Sequence, residues 1–172
     1  MSDKFFMDKV DNLVKQYYFR LREIEKLKSK LEILYRQQKE IIDNIKELIL
    51  SPYNKVKEIF EKDELTVCED KPVTVYEKSV ERVFERLETE ADNIKAEIID
   101  TKTDILQLEK DNSEIGFAIE KLDKDYKLII ETIYKYNKKI LEVSIDLNMD
   151  KSTVSRKRKK ALFQLSSYIN KE

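Results

Sequence analysis

The sequence predicts an all-α protein: a long antiparallel helical hairpin or coiled coil followed by a C-terminal three-helix helix-turn-helix domain. Three observations carry that expectation. The 172 residues include one glycine (Gly116) and two prolines (Pro52, Pro72), so tight turns between strands lack their usual residues. Charged residues make up 40% of the chain, and Glu, Lys, Leu and Ile dominate, as in long helices. Apolar residues recur at alternating steps of three and four over two long stretches.

The first stretch runs from Val10 to Leu50. Ile24, Leu27, Leu31, Leu34, Gln38, Ile41, Ile45 and Leu48 form one seam, and reading back adds Val10, Leu13 and Tyr17, with Arg20 and Gln38 as the interruptions. "SPY" at 51–53 ends the helix, because proline disfavours a helical conformation in the residue before it. Residues 53–62, "YNKVKEIFEK", have Val56, Ile59 and Phe60 on one side and predict a short helix inside a connecting segment of 51–73. Thr74 and Glu77 then have the spacing of a capping box. The second seam follows: Phe84, Leu87, Ala91, Ile94, Ile98, Thr101, Ile105, Leu108, Asn112, Ile115, Ile119 and Leu122. At ~1.5 Å per residue each helix would be on the order of 60 Å long. Similar lengths and one connection point to an antiparallel hairpin over residues 1–120. A parallel dimer through either seam satisfies the same heptads, so the pairing stays open, and Thr101 and Asn112 are the seam residues that could fix register. The neighbouring Tyr17, Tyr18 and Phe19 read as packing at the hairpin base.

Residues 121–172 form a second domain of different character. Tyr126, Ile129, Ile130, Ile133 and Tyr134 lie at helical spacing, and Asn137 terminates that helix. A short helix from about Ile140 to Leu147 carries Val143 and Leu147 four apart. The triplet Asn148-Met149-Asp150 follows, with Asn148 suited to a left-handed backbone and Asp150 to an N-cap. Helix, three-residue turn and helix frame a helix-turn-helix.

Charge singles out the last helix. From Lys138 to Glu172 nine Lys/Arg face four acids, a net +5, which leaves −6 for the rest of a chain whose net charge is −1. Six of the cations fall between Lys151 and Lys160 with no acid among them. Wound as a helix, this segment puts Val154, Ala161, Leu162 and Leu165 on one side. Ser152, Thr153, Arg156, Lys159 and Lys160 lie on the other. Arg158 falls at the core edge, where its stem lies along apolar surface and its charge extends to water. Phe163 falls outward, for contact with the long helices or a second copy. A recognition helix presents its N-terminal residues to base edges in the major groove. Arg can grip guanine, Ser and Thr reach several bases, and Lys mostly neutralises phosphate. The candidate DNA-binding residues are therefore Lys151, Ser152, Thr153, Ser155, Arg156, Lys159 and Lys160.

The stretch "LDKDYKLIIETIYKYNKKILEVSIDLNMDKSTVSRKRKKALFQL" resembles region four of bacterial sigma factors. It is similar, too, to the sigma-like tails of phage transcriptional regulators of the ArpU and RinA type. Glu142, Val143 and Leu147 match the family pattern "EEIAxxLGxS", with Ser144 in place of alanine. Asn148 replaces the turn glycine and Asp150 the capping serine, while Thr153, Val154, Ala161 and Leu162 fit the following helix. Lys157 and Arg158 depart from it, since an aliphatic residue is usual there. The resemblance covers about fifty residues, and no sigma region-two or region-three material fits. It implies a sequence-specific transcription regulator encoded by a phage or mobile element and acting as a dimer. The partners expected are double-stranded DNA, a second copy of the chain and, as a further candidate, RNA polymerase. A different reading makes the chain a coiled-coil interaction or structural protein that docks on RNA polymerase or acts in DNA partition.

Enzyme chemistry finds little support. The chain has no histidine, its one glycine cannot build a phosphate loop, and its one cysteine (Cys68) can form neither an intrachain disulfide nor a Cys/His metal cluster. No catalytic residue, metal or cofactor is expected. A lone cysteine, no signal-peptide pattern and no apolar run near ~20 residues predict a cytoplasmic protein with no membrane partner.

Overall fold

The computed structural model describes the backbone of residues 3–62 and 73–169 and the side chains of residues 7–59 and 78–169. The described residues are helical throughout their regular structure, and no strand occurs among them. The helices are α1 (Asp3–Leu50), α2 (Pro52–Lys62), α3 (Val73–Glu120), α4 (Lys124–Ile130), α5 (Ile140–Asp146) and α6 (Lys151–Ile169). A π-helical turn, Glu131–Lys135, continues α4. Cys68 and the side chains of Phe60, Thr74 and Glu77 lie outside the described residues. Among the described residues no helix is long and apolar enough to cross a membrane.

Contacts group the chain into two compact units, one from residues 1–26 with 105–172 and one from residues 27–104. The division cuts across α1 and α3.

In the 27–104 unit, α1 and α3 pack through Ile41, Leu48, Val83 and Leu87, and Val56 of α2 joins them. Lys30 pairs with Glu97 at 2.7 Å, while Leu48 lies beside Val80 and Phe84, so the two helical segments run antiparallel here. Ile41 and Leu48 are buried, as the heptad reading requires. Pro52 opens α2, where its missing N–H costs no helical bond, and the Ser51 carbonyl accepts from the Lys55 N–H at 3.1 Å. The Lys55 side chain is buried, yet Glu47 (2.7 Å) and Glu58 (3.0 Å) accept from its ammonium. Burial disfavours the charge, but the two carboxylates outweigh it and raise the Lys55 pKa.

In the other unit, Val10, Val14 and Tyr18 of α1 pack with Ile115, Ala118 and Ile119 of α3 and with Ala161, Leu162 and Leu165 of α6. The buried residues are thus Val14 and Tyr18, whereas Leu13 and Tyr17, the strict heptad positions, are only half-buried. The start of α1 has more than one neighbour, and its buried face is wider than a two-helix seam. Tyr17 and Tyr18 meet edge to face at 4.9 Å, while Phe19 is exposed. Asn112 donates from Nδ2 to the Tyr17 carbonyl at 3.2 Å. At Gly116 an added Cβ would lie 3.3 Å from the Tyr17 ring, a close approach that the missing side chain allows.

The terminal helices share a smaller core of Ile129 (α4), Val143 (α5) and Val154 (α6), flanked by Ile133, Ile140, Leu147 and Met149. Two asparagines reverse the chain around α5, Asn137 at φ 54° and Asn148 at φ 48°, the left-handed backbone that asparagine tolerates best after glycine. Past Asn148, the Met149 N–H returns to the Ser144 carbonyl at 2.9 Å. The Asp150 carbonyl accepts from Thr153 and Val154 to start α6.

Candidate nucleic-acid interface

Burial along α6 is one-sided. Val154, Ala161, Leu162 and Leu165 are sealed, which fixes the rotation of the helix about its axis. Ser152, Arg156, Lys159 and Lys160 are exposed on the remaining surface, and Lys151 is exposed where the helix begins. Thr153 and Ser155 are half-buried, so they contribute less open surface than a free helix would give them. The Arg156 guanidinium lies 3.5 Å from Thr153 Oγ1, one turn earlier, in a weak contact that orients it along the helix. Among the described residues Lys151, Lys159 and Lys160 have no ion-pair partner. This face is therefore cationic and carries hydroxyls at its N-terminal end, where α5 and the turn leave it open.

The other two cations of the run are paired within the protein. Lys157 pairs with Asp125 of α4 at 2.9 Å. Arg158 is half-buried, and its charge is held by partners on α1 and the π-helical turn as well as reaching the surface. Its Nε donates to the Tyr134 hydroxyl at 2.9 Å, its Nη2 pairs with Asp11 of α1, and its guanidinium lies over the Tyr134 ring at 5.6 Å. The Tyr134 hydroxyl donates to the same Asp11 carboxylate, which also holds Lys15 at 2.8 Å. Partial burial pushes the Asp11 carboxyl up, but hydrogen bonds from Lys15, Tyr134 and Arg158, with the arginine charge, hold it below the usual range. Tyr134 is driven well above the usual phenol range, first by burial and then by its bond to Asp11. Its hydroxyl stays protonated and donates.

The π-helical turn places Tyr134 for this role. Tyr136 N–H bonds to the Glu131 carbonyl, the wide π register, and Arg22 of α1 reaches toward the Tyr134 and Lys135 carbonyls at 3.5 Å. Beside the outer face, Met7, Tyr126 and Phe163 line an open groove of about 500 Å³ bordered by Lys159, Lys160 and Gln164. Phe163 is thus an exposed groove wall, with the start of α1 at its side. Sequence reading missed the Asp11–Tyr134–Arg158 network. Its one sequence signal is the arginine at an inward position of α6.

No protein-family model, curated protein or solved structure matches the chain.

Proposed function

We propose that the protein is a sequence-specific DNA-binding transcription regulator that acts as a homodimer. In this reading α4, α5 and α6 form a sigma-region-four-like helix-turn-helix, α6 enters the major groove, and the long helices form the hairpin that carries it. One observation carries the proposal: α6 buries Val154, Ala161, Leu162 and Leu165 and leaves Ser152, Arg156, Lys159 and Lys160 exposed on the opposite side, with Lys151 exposed at its start and no acid among them. Arg156, held along the helix by Thr153, is suited to guanine, and Lys159 and Lys160 to phosphates. Lys157 and Arg158 serve the fold.

The test is fluorescence anisotropy of the full chain with duplexes selected from a random pool, measured over a range of salt. Arg156→Ala is expected to lower discrimination among sequences by about 1–3 kcal/mol at one base position. Lys160→Ala is expected to weaken every duplex alike. Binding that ignores both substitutions would reject the proposal. The full chain is the right reagent, because Ala161, Leu162 and Leu165 pack against residues of α1 and α3 that a 121–172 fragment lacks.

One feature favours a reading as an interaction protein. Leu141 and Ile145, one turn apart on α5, are 57% and 73% exposed. Such a ridge is suited to protein docking, with RNA polymerase or a partition partner as the candidate. Under that reading Ile145→Lys abolishes partner capture, and the α6 variants leave function intact.

A further inference from the structure

Four cations stand in a row at the middle of α6: Lys157, Arg158, Lys159 and Lys160. Lys159 and Lys160 are exposed, whereas the first two are paired. The two pairs are of different kinds. Lys157 meets Asp125 once, and that carboxylate is 71% exposed, so an incoming anion can replace it at little cost. The Asp11 side chain is only 14% exposed and that of Arg158 27%. Arg158 is held on three sides, by Asp11 at Nη2, by the Tyr134 hydroxyl at Nε and by the Tyr134 ring against its guanidinium. Drawing it away would leave a partly buried carboxylate short of a donor.

Stability alone is a weak reason for such a group. An enclosed ion pair often serves folding no better than packed apolar side chains of similar volume. Val154, Ala161, Leu162 and Leu165, the buried residues on either side of Arg158 in α6, are apolar. What the arginine and its carboxylate add is electrical. Arginine keeps its charge at any pH the protein meets, so a guanidinium in this row is open to phosphate unless another anion already holds it. Asp11 supplies that anion from α1.

We propose that Asp11 withholds Arg158 from DNA: the carboxylate on α1 keeps the guanidinium against α1 and the π-helical turn, so that α6 offers Lys159 and Lys160, but not Arg158, to the phosphate backbone. Asp11 is a positioning residue in this account, acting through Arg158. Phosphate contacts carry no sequence information, and each one strengthens the hold on every duplex. Withholding one cation therefore limits the binding that all sequences share and leaves the reading of bases by Ser152, Thr153 and Arg156 untouched. The inference rests on the DNA-binding reading above.

The test is fluorescence anisotropy of the full chain over a range of salt, with one selected duplex and one random-sequence duplex of equal length. Asp11→Asn keeps the side chain's shape and an oxygen for the Tyr134 hydroxyl, and it removes the charge. It is expected to make the log–log salt slope about 1 more negative and to tighten both duplexes by about three- to tenfold near ~0.1 M salt. A residue that only stabilised the fold would weaken binding when changed. Arg158→Gln alone should keep the wild-type slope. Asp11→Asn combined with Arg158→Gln, which leaves the net charge as it was, should return to that slope. Asp8→Asn removes the same charge from an exposed position three residues earlier and should leave the slope where it was. If Asp11→Asn does not fold, Arg158→Gln still decides, because a slope about 1 shallower would mean that the guanidinium already contacts phosphate and would overturn the proposal. An unaltered slope in Asp11→Asn, a steep slope that persists in the double variant, or an equal shift in Asp8→Asn would overturn it as well. A wild-type chain that binds no duplex ends the regulator reading and this inference together, whereas specific binding indifferent to Asp11 ends the inference alone.

Discussion

Asp11 gathers three donors, Lys15, Tyr134 and Arg158, and through them joins α1 to the π-helical turn and to α6. Removing Arg158 leaves a partly buried carboxylate and a phenol short of one partner. Arg158→Ala is therefore expected to cost about 1–3 kcal/mol in urea unfolding followed by circular dichroism. The network also has a pH signature. Because the folded state holds the Asp11 carboxyl below its ordinary value, its contribution is full above the unfolded pKa of about 4. It is lost as pH falls through the lower folded value. Wild-type melting temperature should drop over that acid window, and Asp11→Asn should flatten the drop while lowering stability at neutral pH. An unchanged acid profile in Asp11→Asn would remove the carboxylate from the account.

At the scale of elements, the turn between α5 and α6 sets where the cationic face points, and Asn148 is its pivot. Asn148→Ala forces a Cβ-bearing residue without a polar side chain into φ 48° and should cost about 1 kcal/mol. Asn148→Gly fits the same backbone and should stay within about 0.5 kcal/mol, so chemical denaturation of the pair separates backbone strain from lost contacts. Val154→Ala, in the core shared by α4, α5 and α6, should cost about 1–3 kcal/mol and, under the proposed function, weaken DNA binding through loosened α6. Much of this was legible in the sequence. The inward residues of α6, the left-handed Asn148, the short helix read at 53–62 and the 3-4 seam all follow from local rules, because period and turn chemistry act over a few residues. The rest is non-local. Arg158 finds a partner 147 positions away, which no spacing rule announces. The depth of Val14 and Tyr18 depends on a third and fourth helix meeting α1, and the π-helical turn has no pattern of its own.

For the whole molecule, the near-neutral total hides a working division of charge. Four cations of α6 face solvent and two are committed to Asp125 and Asp11. Under the proposed function, with each outward cation meeting one phosphate, affinity for DNA should fall with salt at a log–log slope of about −3 to −4 per copy, from roughly −0.9 per neutralised phosphate. Lys160→Gln should reduce that slope by about 1, and Lys157→Gln by clearly less, which titrations at several salt concentrations would show. Equal losses would mean that Lys157 leaves Asp125 to contact DNA.

The unit that carries α6 is assembled from two stretches of chain separated by residues 27–104. During synthesis the first helix therefore leaves the ribosome long before its partners in Ile115, Ile119 and Leu165 exist. Until that closing segment emerges, Val10, Val14 and Tyr18 lack the neighbours they pack against in the finished protein. Arrested nascent chains that stop before residue 105 should be cleaved readily within the first twenty-six residues, and the finished protein should resist at the same bonds.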